Sequence, residues 1–296
     1  MTKIYVQFPK TGLGNMLLVW AKAAVFARLN NLPYSTTSWW GLRWGALLRR
    51  ERKNRLYLGY FRETPFFQQL IVKASIHLLK IIKEPPVRQL SSKEVGENNL
   101  YLFNQVITDE DLFAPLRNHR EVIIEELNAI LEPAMHRQIK NYKPPIIGVH
   151  IRRGDFKLGN QTTSLEYFIS AINLVRNTIG TILPVTVFTD ADREEISELL
   201  LLPHILLSED KPDILDILLL SKSRIMILSK SSTFGYWAAF LSDALIIRPL
   251  NDWQDNIGPG KSNINYMDFK WDPTNNTATD SLSEKISQLA ISSIEE

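Results

Sequence analysis

The chain has 296 residues, a formal net charge of +2 and no cysteine. The near-neutral charge argues against nucleic-acid binding by bulk electrostatics, and the lack of cysteine excludes disulfides, thiolate zinc sites and a cysteine nucleophile. The apolar fraction of 45% and the length suffice for two modest α/β domains. Neither a signal peptide nor a run of about 18 apolar residues is present, so we expect a cytoplasmic protein, at most peripheral on the inner membrane face.

The N-terminal half begins with a predicted strand at 3–8, a glycine turn, and a helix at 16–29 that is apolar on nearly every side. This order is typical of the first βα unit of an α/β domain. Apolar residues spaced by about 3.6 predict further helices at 66–83 and 119–132. Pro144-Pro145 then marks the best domain boundary.

Tryptophans and basic residues cluster between 39 and 55, where Trp39, Trp40 and Trp44 precede five basic residues. The favoured interpretation is that 39–55 and 66–83 are core helices of the N-terminal domain with a solvated basic flank. The alternative is a peripheral membrane contact through 39–55 and 66–83, because aromatic and basic side chains are typical of interfacial anchors.

The C-terminal half alternates apolar strands with helical patterns, which predicts a parallel sheet with crossover connections. The predicted strands are 146–151, 184–189, 224–228 and 244–247, and the predicted helices are 164–177, 192–201, 213–222, 233–242 and 281–294.

Polar residues follow three of these strands. Ligands of open α/β sheets bind at the carboxyl ends of the strands, so we expect these residues to meet at one edge. They are His150, Arg152, Arg153 and Asp155 after the first strand, Asp190 after the second, and Ser231, Ser232 and Thr233 after the third.

This set predicts a phosphate site. Free backbone N–H groups and the dipole at the start of the helix 233–242 favour an anion, and arginine offers a planar fork that matches phosphate oxygens. Taken singly, the arginines are more often a solvated turn, and Ser231–Thr233 is more often a plain helix cap. Asp216 lies in an apolar helix and should therefore have a partner.

Several segments together resemble the α-1,2-fucosyltransferase family, glycosyltransferase family 11, over residues 4 to about 247. The most specific is His150-Ile-Arg-Arg-Gly-Asp155. The others are Gly12-Leu13-Gly14-Asn15, Thr189-Asp190, Asp216 through Ser221, and Ser231-Ser232 followed by Trp237.

The resemblance implies an α/β fold with two Rossmann-like domains in the GT-B-type glycosyltransferase architecture. Residues 1–143 would form the acceptor-side domain and 144–296 the donor domain, with the last helix packing back on the N-terminal domain. The implied reaction is an inverting, metal-independent transfer of fucose from GDP-fucose to an oligosaccharide acceptor, α-1,2 onto a terminal galactoside. No cofactor beyond the donor substrate is implied.

By analogy with the family, His150 and Asp216 contact guanine, while Arg152 and the Ser231–Thr233 loop bind the diphosphate. Arg153 and Asp190 complete the donor site, in which His150 and Asp190 are free to contact the base or ribose. Arg152 and Asp155 are the catalytic candidates. Gly12, Gly14 and Asn15 face the cleft from the acceptor side. Asp155 is the first candidate for the general base, and bracing of an arginine is its equally weighted alternative.

The segment Phe234-Gly235-Tyr236 departs from the family pattern. Two alternatives therefore stay open. One is a transferase of the same fold that uses another nucleotide sugar, and the other is a nucleotide-binding protein without transfer activity.

Overall fold

The structure is a computed structural model. It describes residues 2–41, 56–65, 67, 69–70, 74, 78–106, 111–154, 162–258 and 267–292. Two compact units divide the chain, the first being Met1–Leu48, Asn54–Gln138 and Pro212–Ile214, and the second Arg49–Lys53, Ile139–Lys211 and Leu215–Glu296.

The first unit contains a parallel four-stranded sheet in the order β2-β1-β4-β3. Its strands are β1 (Lys3–Val6), β2 (Tyr34–Thr36), β3 (Lys80–Lys83) and β4 (Asn99–Phe103), and its helices are α1 (Leu13–Asn30), α2 (Ser92–Val95), α3 (Arg120–Ile130) and α4 (Pro133–Ile139). Helix α1 is buried on nearly every side, as its composition predicts, and ends at Asn31 in the left-handed conformation. It begins three residues before the predicted start.

The predicted helix at 66–83 is wrong at its end, because Lys80–Lys83 forms β3, an edge strand that pairs with β4. The predicted core face is wrong as well: Phe67 is 77% exposed and Leu78 is 84% exposed. Four residues are too few to separate a helical period from a strand period, and the pairing with β4 decides the conformation.

Trp39 is a core residue. It is 1% exposed and its ring lies 4.2 Å from the ring of Phe8 and 4.1 Å from that of Phe61, whereas Trp40 is half exposed. Trp39 is therefore unavailable to a membrane. Trp44 and the basic run after it lie outside the described residues, and none of the helices in the described ranges is both long and apolar enough to cross a bilayer.

The second unit is built on a parallel six-stranded sheet in the order β10-β9-β8-β5-β6-β7. Its strands are β5 (Ile147–Ile151), β6 (Val185–Thr189), β7 (Ile205–Leu207), β8 (Ile225–Leu228), β9 (Leu245–Pro249) and β10 (Met267–Trp271). Its helices are α5 (Leu165–Ile179), α6 (Ser197–Leu200), α7 (Asp213–Leu220), α8 (Thr233–Phe240) and α9 (Asn276–Ser292). The prediction of two Rossmann-like α/β sheets is confirmed.

Helix α9 packs in the core of this second unit, where Leu282 and Ile286, one helical turn apart, are fully buried beside α5. Additional packing of this helix on the N-terminal domain, which the resemblance implies, stays a prediction. The partition of the chain into an acceptor-side and a donor domain at residues 143 and 144 stays a prediction.

Candidate functional site

Three neighbouring strands of the second sheet, β8, β5 and β6, end together. His150 on β5 is level with Leu228 on β8, and Ile151 is level with Thr189 on β6. The residues that follow these strands therefore lie side by side at the carboxyl edge. This register brings Arg152, Asp190 and the loop after Ser229 together.

Arg152 is held by Asp190. The guanidinium Nη1 donates to Asp190 Oδ2 at 2.5 Å, and the other oxygen of the same carboxylate accepts the backbone N–H of Arg153 at 2.8 Å. The backbone N–H of Arg152 donates to Ser229 Oγ at 2.9 Å. Both oxygens of Asp190 are thus engaged in shaping the arginine turn, although Asp190 is predicted to be free for the base or ribose.

Gly154 is required where the turn passes Asp190. A Cβ at this position would overlap the Oδ2 atom that accepts from Arg152, so any larger residue would displace the carboxylate. Arg152 remains 19% exposed and Asp190 28% exposed, which leaves the pair within reach of a ligand.

His150 is buried, and its ring stacks on Phe234 with centroids 5.1 Å apart and planes 17° apart. Burial, and to a smaller extent the charge of Arg152, lowers the pKa of His150 from 6.5 to about 3. The imidazole is therefore neutral. Its Nδ1 has no hydrogen-bond partner in the described part of the chain, and Gly235 lies so close that a Cβ there would be 3.0 Å from Nδ1.

The loop after β8 leads into α8. Ser231 has a positive φ of 58°, and Ser232 is the N-cap residue but makes no side-chain capping bond. The backbone N–H groups of Ser232, Thr233 and Phe234 donate to no acceptor within the described ranges. The loop is therefore not a plain cap, and it presents unsatisfied donors of the kind that bind anions.

A buried charge network supports this loop, and sequence reasoning missed it. Arg248 at the end of β9 is 1% exposed and pairs with Asp252 at 2.8 Å and with Asp268 of β10 at 2.7 Å. Asp252 in turn accepts from Tyr236 Oη and from the backbone N–H of Ser231. A charged residue directly after Ile246-Ile247 was the available signal, because a buried arginine needs partners.

Asp216 has the partner that its apolar surroundings predict. Its Oδ1 lies 3.2 Å from Lys211 Nζ and accepts from Ser208 Oγ at 3.0 Å. The Lys211 ammonium also lies over the rings of Tyr142 and Phe188. The carboxylate, the ammonium and the two rings form one polar and aromatic cluster.

The N-terminal glycine segment is the start of a helix rather than a turn. Gly12 is the N-cap of α1 with ordinary extended backbone, and Gly14 and Asn15 lie in the first helical turn. The backbone N–H of Leu13 donates to Tyr57 Oη at 2.9 Å. The buried Oδ1 of Asn15 has no hydrogen-bond partner among the described residues.

Asp155 lies outside the described residues, so its two predicted roles stay predictions. In the part of the chain that the structure describes, no group of three or more His, Asp or Glu side chains could hold a metal ion.

The family model of glycosyl transferase family 11 matches residues 97–256 of the chain. A sequence search with this chain found no matching curated protein. The fold is similar to the crystal structure of fucosyltransferase NodZ from Bradyrhizobium, at 17% identity and a TM-score of 0.51, with 82% of this chain and 94% of that chain covered. A structure of NodZ alpha-1,6-fucosyltransferase co-crystallized with GDP aligns at 16% identity and a TM-score of 0.50, covering 84% and 95%. At such identities the likeness supports the fold, a GT-B-type pair of Rossmann-like domains.

Proposed function

The chain belongs to glycosyl transferase family 11, and from this premise we propose that it transfers fucose from GDP-fucose to a glycan hydroxyl with inversion. The product linkage we propose is α-1,2 to a terminal galactoside, and the reaction proceeds without a metal. The family match supports glycosyl transfer, and the GDP bound by NodZ supports a guanine nucleotide donor.

The observation that supports binding of the GDP-fucose donor is the anion site at the carboxyl ends of β5 and β8. The unsatisfied amides at the start of α8 and the partly exposed Arg152 supply positive potential without a mobile cation. Cleavage of the sugar–phosphate bond places growing charge on the diphosphate. Fixed donors that need no reorganisation stabilise that charge as it develops.

Two further groups are proposed for the guanine base. Neutral His150 offers an unpaired nitrogen, and Asp216 offers a carboxylate that is already paired with Lys211. Asp190 acts on the donor through Arg152, since both of its oxygens hold the arginine turn. Arg153 and the hydroxyls of the Ser231–Thr233 loop complete the proposed donor site.

The acceptor half is proposed for the N-terminal unit, with Gly12, Gly14 and Asn15 at the acceptor side. The unpaired Oδ1 of Asn15 supports this, because a sugar hydroxyl could satisfy it. Asp155 is proposed as the general base that takes the acceptor proton. Asp155→Asn should reduce kcat by about 100-fold or more, and a kcat within a few-fold of wild type would exclude the base role.

Mass spectrometry of products from GDP-fucose and a panel of terminal galactosides tests the proposed activity. We expect a mass gain of one deoxyhexose that a 1,2-specific α-fucosidase removes. Parallel reactions with GDP-mannose and UDP-galactose test the alternative donor. Tight GDP binding with no product from any donor would instead indicate a nucleotide-binding protein.

A cytoplasmic location and a peripheral membrane contact through 39–55 and 66–83 stay predictions. Co-sedimentation with liposomes tests the contact. Binding that does not increase with anionic lipid would contradict it.

A further inference from the structure

The loop between β8 and α8 contains a strained residue. Ser231 adopts φ 58°, in the left-handed region that residues other than glycine avoid. Such a conformation persists only where the surroundings hold it. The groups that hold Ser231 therefore decide the direction in which the chain enters α8.

Two side chains hold the backbone N–H of Ser231. It donates to Tyr236 Oη at 2.7 Å and to Asp252 Oδ1 at 3.1 Å, and Tyr236 Oη donates in turn to the same carboxylate oxygen. Burial, with Asp252 beside it, raises the pKa of Tyr236 far above its usual range, so the phenol stays a donor. The backbone N–H of Ser231 is thus already hydrogen-bonded within the protein and does not itself contact a ligand.

Asp252 is fixed by Arg248. Nη1 of Arg248 donates to Asp252 Oδ2 at 2.8 Å and to the carbonyl of Gln254 at 2.9 Å, while Nε and Nη2 hold both oxygens of Asp268. The two carboxylates are almost completely buried and share one arginine, yet only Asp252 reaches the loop.

We infer that Asp252, held by Arg248, is a positioning residue for the diphosphate of the donor, and that Tyr236 shares this role. By fixing the left-handed turn at Ser231, the two side chains set the direction in which the chain enters α8, and with it the orientation of the next three backbone N–H groups. The inference rests on the proposed function. It adds a set of residues that touch no substrate but determine whether the phosphate site exists before the donor binds.

The paired carboxylates give a matched experiment. Asp252→Ala and Asp268→Ala each deprive Arg248 of one buried partner, so we expect both to lower the melting temperature by similar amounts. Only Asp252→Ala should weaken GDP binding in calorimetry, by about tenfold, because the binding-competent loop becomes a minor population. Binding of guanosine, which lacks phosphate, should be the same in both variants.

Equal loss of GDP affinity in the two variants, or equal loss of GDP and guanosine affinity in Asp252→Ala, would overturn the inference. If Asp252→Ala does not fold, Tyr236→Phe decides. It keeps the ion pairs and removes one oxygen, so we expect a near-normal melting temperature and about threefold weaker GDP binding. Unchanged GDP affinity in Tyr236→Phe would contradict the positioning role of Tyr236.

Failure of the proposed function gives a different result. If wild-type protein binds UDP or ADP in preference to GDP, the guanine assignment is wrong, and the variants are then compared with that diphosphate and its nucleoside. If wild-type protein binds none of the three diphosphates, both the function and the inference fail.

Discussion

Arg152 and Arg248 both lie at strand ends of the second sheet, but their surroundings give them different roles. Arg152 follows β5, is 19% exposed and is braced by the carboxylate of Asp190. Arg248 ends β9, is 1% exposed and is enclosed by two carboxylates and two backbone carbonyls. The local sequence does not distinguish the two residues, because each arginine follows a run of apolar strand residues. Exposure separates the residue that a ligand can reach from the residue that holds the framework.

Replacing Arg248 should give the largest effect. Arg248→Met leaves Asp252 and Asp268 buried without their cation, so we expect the free energy of unfolding to fall by about 4 kcal/mol. Denaturant titration measures this. Arg88→Met is the matched control, because Arg88 also pairs with a carboxylate, Glu94, but at the exposed surface. No measurable change is expected there. Equal losses in the two variants would remove the distinction between framework and surface arginines.

Replacing Arg152 should affect catalysis instead. Arg152→Lys keeps the charge but loses the planar fork, so we expect kcat/KM for the donor to fall by about 100-fold, near 3 kcal/mol, with little change in melting temperature. Steady-state kinetics with GDP-fucose measure this. The same substitution at Arg224, which is exposed at the amino end of β8, should leave kcat/KM unchanged. A loss of stability without a loss of kcat/KM would place Arg152 with the framework.

The neutral histidine beside Arg152 gives a smaller, pH-dependent effect. Below pH 6.5 the unfolded chain protonates His150 while the folded protein does not, because its pKa in the fold is about 3. Stability is therefore lost as the pH falls from 6.5 toward 3. Between pH 7 and pH 5 this single group should lower the free energy of unfolding by about 2 kcal/mol.

Denaturant unfolding of wild type and of His150→Gln at pH 7 and pH 5 measures the contribution of His150 to the free energy of unfolding. The variant should lose about 2 kcal/mol less than wild type between pH 7 and pH 5. Identical losses would mean that the buried imidazole is protonated in the fold.

The periodic parts of the fold could be predicted from sequence. The predicted strand 224–228 is β8 (Ile225–Leu228), and the predicted helix 233–242 is α8 (Thr233–Phe240). Besides β3, four described strands were not predicted: β2 and β7 have three residues each, β10 follows a polar stretch, and β4 lies inside the first sheet between β1 and β3. Their conformation depends on a partner strand far along the chain, which no local pattern reports.

Several polar residues of the candidate site could also be predicted from the sequence. His150, Arg152 and Asp190 follow from the rule that ligands bind at strand ends, and the contact between Arg152 and Asp190 follows from the parallel register. The link from Arg248 through Asp252 to Ser231 does not. It needs the pairing of β9 with β10 and a left-handed serine, and a serine gives no sign of positive φ in sequence.

The order of strands in the first sheet also affects how this chain folds while it is being synthesised. β1 pairs with β4, Lys3 with Leu100, and the core face of α1 is covered in part by Tyr101 and Phe103. During synthesis, which adds about 5 to 20 residues per second, this mostly apolar helix therefore leaves the ribosome some seventy residues before its partners in β4. For several seconds the nascent chain carries an aggregation-prone segment, and such high-contact-order assembly is slow.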